Sequence, residues 1–454
     1  MHDIEHEAYD TIVVGARAAG ATTAMLLARG GQRVLTLDRA RLGSDTLSTH
    51  ALQRGAVTLL EAWGLLDRVR AAGTPVVRRT SFHYGGDPVH VPIRASRGVD
   101  GLYAPRRTVL DPILVAAARE AGARARHGVK VRDLSRDDRG RVRGVVVEGV
   151  GGEVRTLRAD RVVGADGARS TVARLTGART TRRSDAACAY VYGYFPGADL
   201  DAIEFHYAPR TTAGVFPTND GAACVFVGVP PTRLAAARAA GTRALFDAAL
   251  ATCAPSLAAR LAREAPVGAL RSFPGAPGFL RAPSGPGFAL VGDAAHFKDP
   301  ATAHGITAAL RDATLLARAL LTGTDRALAD YARERDALSL GLFEVTARIA
   351  SLEWSLDELR ELHRAFSAES RRELATIEAL AETRRQSIES SAGAADGALR
   401  GQAIAQRGPS VEGAPSPRDG DERGAAAFVV GGGPHGALPH GRTGWNNPYE
   451  DISR

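Results

Sequence analysis

A short apolar strand followed by a glycine-containing turn, near the amino terminus, constrains the fold of this chain more than any other stretch. The strand Asp10–Val14 leads into the turn Gly15–Gly20 (GARAAG), and an Ala- and Leu-rich helix follows to Ala28. A second strand, Arg33–Leu37, ends at Asp38. This order is typical of a βαβ nucleotide site, with pyrophosphate at a helix N-terminus and an acidic residue on the ribose. The pattern therefore predicts an α/β chain with a Rossmann-like domain.

The turn departs from the usual pattern at one position. Arg17 stands where a middle glycine normally lets the backbone approach the pyrophosphate closely. Its side chain is expected either to form a salt bridge with the phosphates or to point outward into solvent. The nucleotide contacts predicted from this region are Gly15, Ala16, Arg17, Ala18, Ala19, Gly20, Asp38 and Arg39.

A second strand–turn–helix stretch, Phe288–Ala317, lies far along the chain. Its strand ends at a Gly-Asp pair, which lets the backbone approach a ligand while the carboxylate accepts hydrogen bonds from ligand hydroxyls. Unpaired N–H groups at the helix entry favour an anion. Taken alone, the stretch is better explained as an ordinary α/β strand–turn–helix unit. Its candidate contacts are Gly292, Asp293, Pro300, His304, Gly305 and Ile306.

A third stretch, Val162–Arg174 (VVGADGARSTVAR), has a strand, the pair Asp166-Gly167 and a short helix opening at Ser170. By contrast, VVGGGPHG at Val429–Gly436 matches Gly-x-Gly-x-x-Gly literally, but proline and glycines follow it instead of a helix. A nucleotide fingerprint needs a βαβ unit around it. The imperfect match at the amino terminus is therefore preferred to the literal match near the carboxyl terminus.

With GARAAG and Asp38, GADGARS, and GDAAHFKDPATAHG in this order, the chain resembles the FAD-dependent aromatic hydroxylases of the para-hydroxybenzoate hydroxylase type. The resemblance covers about residues 9–320. The strings SDTLSTH, YAPRRTVLD and KDPATAHGI look like an actinobacterial branch of that group. The sequence departs from the family pattern at Arg17, at Ala173 in place of an arginine, and at Ala303-His304 in place of Gly-Gln.

The resemblance implies a GR2-type FAD-binding domain with an inserted α+β substrate domain and C-terminal helices. It implies that Asp293 holds the ribityl chain and that amides around Gly305 face the flavin ring. It also implies that Arg107 contacts FAD from the far side of the pyrophosphate, with Arg106 or a structural role for Arg107 as alternatives. Val131 and Asp166 complete the implied FAD contacts.

The implied reaction is a monooxygenation that uses NADPH or NADH as a transient reductant, molecular oxygen and a small aromatic or polyketide-like substrate. A prenyl-lipid reductase shares the three nucleotide motifs and stays open as an alternative. A flavin halogenase is less favoured because the chain lacks the Trp-x-Trp-x-Ile-Pro string. A non-catalytic flavin-binding protein is the remaining alternative.

Three side chains are the candidates for catalysis. Lys298 follows Asp293 on the loop that is expected to pass the flavin ring, where an ammonium can stabilise negative charge; a solvated loop lysine is the alternative. His50 ends a polar cluster whose hydroxyls, Ser48 and Thr49, are expected to cap the next helix. His206 lies on a strand of the expected substrate domain, where Tyr190, Tyr192 and Tyr194 share one face.

The expected division of the chain alternates between its two main parts. The FAD-binding domain takes residues 1–75, 101–179 and 278–330, and the substrate domain takes the hairpin 76–100 and residues 180–277. C-terminal helices occupy 331–386. From residue 387 the composition turns to Gly, Ala, Ser, Pro and charge, which predicts a disordered tail over 387–454.

Composition limits the partners, metals and cellular location that are expected for the chain. The chain has 454 residues and a net charge of +8, but its basic residues are nearly all arginine and are mixed with acidic ones, so no nucleic-acid partner is expected. Cys188, Cys224 and Cys253 have no metal-ligand spacing, so no metal is expected and the thiols are expected to be reduced in the cytoplasm. No apolar run approaches the ~20 residues of a membrane span. A monomer or a homodimer is expected.

Overall fold

The computed structural model describes residues 8–149, 151–196, 200–237 and 241–405, with side chains as far as residue 383. Described residues up to Glu382 form one compact unit, and the helical backbone from Thr383 onward belongs to a second. The rejected Val429–Gly436 match and the predicted tail beyond residue 405 lie outside the described residues.

The described chain begins with alternating strands and helices, and its last three elements are long helices. The strands are β1 (Tyr9–Val14), β2 (Val34–Asp38), β3 (Arg79–His83), β4 (Val89–Pro92), β5 (Arg124–His127), β6 (Lys130–Arg136), β7 (Val142–Glu148), β8 (Val154–Gly164), β9 (Thr180–Arg183), β10 (Ala189–Pro196), β11 (Ala202–Ala208), β12 (Thr211–Pro217), β13 (Ala222–Val229), β14 (Arg271–Phe273), β15 (Phe279–Arg281), β16 (Ser284–Gly285), β17 (Phe288–Leu290) and β18 (His296–Phe297). The helices are α1 (Ala18–Arg29), α2 (Arg54–Ala62), α3 (Leu66–Ala71), α4 (Arg107–Glu120), α5 (Thr171–Thr176), α6 (Pro231–Ala236), α7 (Thr242–Cys253), α8 (Pro255–Leu261), α9 (Gly305–Thr322), α10 (Asp325–Ala350) and α11 (Leu356–Ala405).

The first sheet is built around parallel strands in the order β17-β8-β1-β2-β5. In its register Val13 lies beside Thr36 on one side and Val163 on the other. These strands consist mainly of apolar residues because helices cover the sheet. The helices α1, α4 and α9 contribute to one core cluster. The carboxyl ends of β1, β2, β8 and β17 meet at one edge, which is where open α/β sheets bind ligands.

The second sheet has the order β14-β10-β13-β12-β11-β3-β4. Its strands are antiparallel neighbours except for β3, which pairs in parallel with β11. One face packs against α7 and α8, and the other carries an aromatic cluster that packs against α10 and α11. The hairpin of β3 and β4 therefore shares a sheet with β10–β14, whereas β9 pairs with β15 in a separate three-stranded sheet.

Several element bounds differ from the sequence expectation for local reasons. The sequence predicts one helix over about residues 51–70, but the structure divides it into α2 and α3 at Gly64, whose φ of 73° is left-handed. The sequence predicts a helix over Asp111–Ala121, whereas α4 begins four residues earlier, at Arg107. The backbone of α11 is helical to Ala405, past the expected loss of order at Ser387, where alanines raise helix propensity.

The sequence Ser355-x-x-Glu358 predicts a capping box at the start of α11, and the structure contains it. The backbone N–H of Ser355 donates to Glu358 at 2.7 Å, and the N–H of Glu358 donates to the Ser355 hydroxyl at 3.2 Å. The α/β class, with a Rossmann-like domain, a second sheet and C-terminal helices, is confirmed. In the part of the chain that the structure describes, no helix is both long and apolar enough to span a bilayer.

Candidate functional site

A cavity of about 510 Å³ opens beside the carboxyl ends of β1, β2 and β8. Its size is that of a typical small-molecule site. Residues from all three predicted nucleotide stretches line it: Gly15, Arg17, Ala18, Ala19, Asp38, Arg39, Arg107, Val131, Asp166, Asp293, Lys298, Pro300, Gly305 and Ile306. A second part of its wall is apolar and mainly aromatic: Tyr190, Tyr192, Cys224, Phe226, Phe273 and Phe297.

The amino-terminal turn has the geometry of an anion site. Gly15 has a φ of 103°, and a Cβ there would lie 2.3 Å from the Ala165 carbonyl oxygen, so only glycine fits. The Asp38 carboxylate accepts the N–H of Ala16 at 2.8 Å and of Ala40 at 2.7 Å, which fixes the turn against β2. The start of α1 carries no side-chain cap, so its first N–H groups remain available to a ligand.

The Arg17 side chain lines the cavity and is held there by partners within the protein. Its Nη1 donates to Oδ2 of Asp111 at 3.0 Å, and its Nη2 donates to the Ser44 hydroxyl at 3.1 Å. The same Asp111 accepts Nη2 of Arg107 at 2.8 Å. One carboxylate thus joins two arginines that both line the cavity, and the group carries a net positive charge suited to a diphosphate. Sequence reasoning missed Asp111, although it lies one helical turn after Arg107.

The second stretch brings Asp293 to the cavity on a 3-10 turn, Gly292–Ala294, directly after β17. Asp293 has exposed surface, which lines the cavity. Desolvation by the protein around the carboxyl raises the pKa of Asp293 to about 6, against the opposing charges of Arg107 and Lys298. The helix α9 then begins at Gly305 without a side-chain cap, so a second uncapped N-terminus meets the same cavity.

Asp166 lines the cavity, but its carboxylate is already engaged within the third stretch. It accepts the Ser170 hydroxyl at 2.5 Å and the N–H of Thr171 at 2.6 Å, and so fixes the start of α5. Ala16, Gly20 and Gly292 were expected to touch the ligand, yet they are not part of the cavity wall. Gly20 packs so closely on the Gly15 carbonyl that a Cβ would lie 1.9 Å from its oxygen, which makes its role one of packing.

Lys298 is buried and lines the cavity, so the solvated-loop alternative is wrong. Its Nζ lies 2.8 Å from Nδ1 of His304, whose Nε2 lies 2.6 Å from Oε2 of Glu373 on α11. His304, expected to contact the cofactor, instead lies behind the wall, because its ring bridges these two side chains. Sequence reasoning missed Glu373, although a charge between Phe366 and Ile377 on an apolar helix face was a readable signal.

His50 lies behind the cavity wall and not in it. Its neighbours Thr49 and Ala51 line the cavity, while its Nε2 lies 2.6 Å from the Tyr194 hydroxyl. Burial lowers the pKa of His50 to about 3, and its backbone has a left-handed φ of 64°. Ser48 and Thr49 do not cap the next helix, because α2 begins only at Arg54 and the Ser48 hydroxyl accepts the N–H of His50.

His206 was expected to act in catalysis, but it does not line the cavity. Strand alternation and the register with β12 place His206 beside Ala213, on the sheet face that packs against α7, away from the aromatic wall. There it approaches Glu204 at 3.3 Å and stacks on His83 with ring centroids 4.0 Å apart. The three side chains place one ligand atom each within 4.8 Å of one another, a spacing that could hold a metal ion, and none of the three lines the cavity.

A family profile described as FAD binding domain matches residues 8–344. The chain is 31% identical over 334 residues to the menaquinone reductase of Mycolicibacterium smegmatis, covering 69% of this chain and 76% of the relative. It is 28% identical over 344 residues to the 6-methylpretetramide 4-monooxygenase of Streptomyces rimosus, covering 70% and 76%. The myxobacterial chondrochloren halogenase shares the fold with a TM-score of 0.67 at 24% identity, over 79% of this chain and 83% of the halogenase.

Proposed function

Because the chain belongs to the FAD binding domain family and is a flavin-dependent oxidoreductase, we propose that it is a monooxygenase acting on an aromatic or polyketide-like small molecule. The observation that carries the proposal is the composition of one cavity. Its nucleotide-binding part and its aromatic wall share a single space, so a flat apolar substrate fits beside a bound flavin.

The residues present fit FAD. Asp38 suits the ribose, the α1 N-terminus with Arg107 and Arg17 suits the pyrophosphate, and Asp293 suits the ribityl hydroxyls. The close packing of glycines in the turn supports this assignment, since a Cβ at Gly15 would collide with the backbone. Bound FAD supplies the redox chemistry, accepting a hydride from NADPH or NADH and reacting with molecular oxygen.

The protein's own residues supply placement and charge. Tyr190, Tyr192 and Phe226 form an apolar surface that holds the substrate and excludes water. Lys298 places an ammonium at the same cavity, where it stabilises negative charge that develops on reacting oxygen atoms. Three free buried cysteines support a reducing compartment, in line with the expected cytoplasmic location.

The test is a screen of small aromatic and polyketide-like compounds against the FAD-loaded protein. A substrate is expected to stimulate NAD(P)H oxidation and oxygen uptake together, in equal amounts, with one oxygen atom recovered in the product. Labelling with ¹⁸O₂ identifies the source of that atom. Product that lacks the label would overturn the assignment.

A second candidate is an FAD-dependent reductase of isoprenoid double bonds. The similarity to a menaquinone reductase favours it, since that relative is 31% identical over 334 residues. A reductase is expected to saturate an isoprenoid quinone or prenyl lipid under anaerobic conditions, with no oxygen uptake. The same assay run with and without oxygen therefore separates the two candidates.

A further inference from the structure

We infer that Glu373, acting through His304, holds Lys298 in its ammonium form at the wall of the FAD cavity. The inference rests on the proposed placement of the flavin in that cavity. It assigns a positioning role to α11, a helix that begins after the family match ends at residue 344. We call Lys298, His304 and Glu373 the lysine relay.

The hydrogen-bond directions in the lysine relay follow from what each atom can do. Glu373 is flanked by His304 Nε2 at 2.6 Å and by Nη1 of Arg311 at 2.5 Å, and an ionised carboxylate can only accept. His304 therefore carries its proton on Nε2. Its Nδ1 is left as an acceptor, and the Lys298 ammonium donates to it at 2.8 Å. The carboxylate thus fixes the tautomer that binds a protonated lysine.

The charges around the lysine relay balance within a buried volume. Lys298 and Arg311 are the cations, and Glu373 and Asp312 are the anions; Asp312 accepts Nε of Arg311 at 2.8 Å. Arg311 and Asp312 have no exposed surface, and Glu373 is 2% exposed. A buried ammonium without a nearby anion loses its proton, because burial penalises its charged form. Glu373 supplies that anion.

The titration of the individual groups agrees with this geometry. Burial lowers the pKa of Lys298 to about 8, with Glu373 the largest opposing influence. Burial also lowers the pKa of His304, so its ring is neutral. Burial opposes the charge on Glu373, but His304 and Arg311 outweigh it and hold its pKa at about 2. The other charged or titratable groups acting on Lys298 are Arg311, Asp312, Asp293 and His296.

Glu373 also holds Arg311, so its loss can act on structure alone. Arg311 keeps Asp312 and the Ser339 hydroxyl, at 2.7 Å, when Glu373 is neutralised. A purely structural role would alter the melting temperature without altering the charge beside the flavin. The test therefore measures that charge directly, through the midpoint potential of bound FAD as a function of pH.

The experiment uses the full chain loaded with FAD and compares the wild type with Glu373→Gln, Glu373→Asp, Lys298→Met and the control Glu361→Gln. Glu361 lies on α11 in an exposed pair with Arg364. In the wild type, the difference in potential from Lys298→Met is expected to disappear as pH rises through about 8, where Lys298 loses its proton. In Glu373→Gln this transition is expected to move down by roughly one pH unit or more.

Glu373→Asp keeps the charge and is expected to restore the wild-type transition in part, while Glu361→Gln is expected to match the wild type. A Glu373→Gln variant that binds FAD and keeps the wild-type transition would overturn the inference. So would a wild type and Lys298→Met with the same potential at every pH. Neither result depends on which substrate is oxidised, so the proposed monooxygenase activity stands or falls separately.

Discussion

The guanidinium of Arg17 lies 3.0 Å from the carboxylate of Asp111, 94 positions further along the chain. This contact ties the amino-terminal turn to α4, where Arg107 donates to both oxygens of the same carboxylate. An arginine is therefore tolerated where the fingerprint has glycine, because its side chain leaves the turn and joins a partly buried ion pair.

Replacing Arg107 by methionine is expected to weaken FAD binding. The variant removes one cation from the cavity, while Asp111 keeps Arg17 as a partner and the carboxylate is not left alone. The dissociation constant of FAD is expected to rise about tenfold or more, since a charge-assisted hydrogen bond contributes about 1.5–3 kcal/mol. Fluorescence titration of the apoprotein measures it. Arg119→Met, on the exposed side of α4, is the matched control.

Asp293→Asn is expected to lower FAD affinity in a pH-dependent way. The carboxyl has a pKa of about 6, so it is ionised and a strong acceptor above that pH and protonated below it. The wild-type affinity should therefore fall as pH drops through 6, and the difference from Asp293→Asn should shrink with it. At pH 8 we expect a difference of roughly tenfold or more. A pH-independent ratio of the two affinities would show that the carboxylate does not meet the ribityl hydroxyls.

Lys298→Met is expected to keep FAD bound and to slow flavin reduction, or to raise peroxide release, by about tenfold, which corresponds to ~1.4 kcal/mol. The ammonium stabilises negative charge beside the flavin, and methionine cannot. Stopped-flow absorbance and a peroxide assay measure the two effects. Lys130→Met is the contrast, because Lys130 lines the cavity but is exposed on β6. Equal rates in both variants would remove Lys298 from the reaction.

His206→Ala is expected to leave FAD affinity and coupling unchanged. His206 lies on the face of the second sheet that is turned away from the aromatic wall, so its loss acts on packing with His83 and Glu204. The free energy of unfolding should fall by about 1–3 kcal/mol, measured by urea denaturation. A large loss of coupling in a folded variant would mean that the sheet face has been misassigned.

Two truncations test what the C-terminal helix contributes. Ending the chain after residue 387 is expected to preserve folding and FAD binding, because the described buried side chains of α11 end at Ala381. Ending it after Glu369 removes Glu373 and Ile377, which is fully buried, and is expected to give aggregated or flavin-free protein. Gel filtration with flavin absorbance reports both. Flavin-free protein from the variant that ends after residue 387 would show that residues beyond 387 support the site.

The nucleotide half of the site could be predicted from sequence because its chemistry is local. The turn at Gly15, the carboxylate of Asp38 and the strand end at Asp293 each belong to one short stretch with its own geometric signal. The second sheet was harder to predict. The sequence shows its strands as alternating runs but does not show how neighbouring strands are in register. The face on which His206 lies was mispredicted for this reason, because a shift of one residue in a strand exchanges the two faces of a sheet.

The partners of the buried charges could not be predicted, because they depend on long-range packing. Arg17 and Asp111 meet across 94 positions, and Arg311 and Glu373 meet across 62. No local pattern links either pair. A buried charge is nevertheless visible as an acidic residue on an apolar helix face, and this is the sign that α11 offers at Glu373.

The position of Glu373 on the last described helix has a consequence for protein engineering. Recombining this chain with a relative at a junction after α10 would exchange the counter-ion of Lys298 while leaving every residue of the cavity wall in place. In such a chimera, a segment that does not line the cavity would change the charges around Lys298. Its behaviour would be misread as a defect in folding unless the donor helix carries a carboxylate at the same turn.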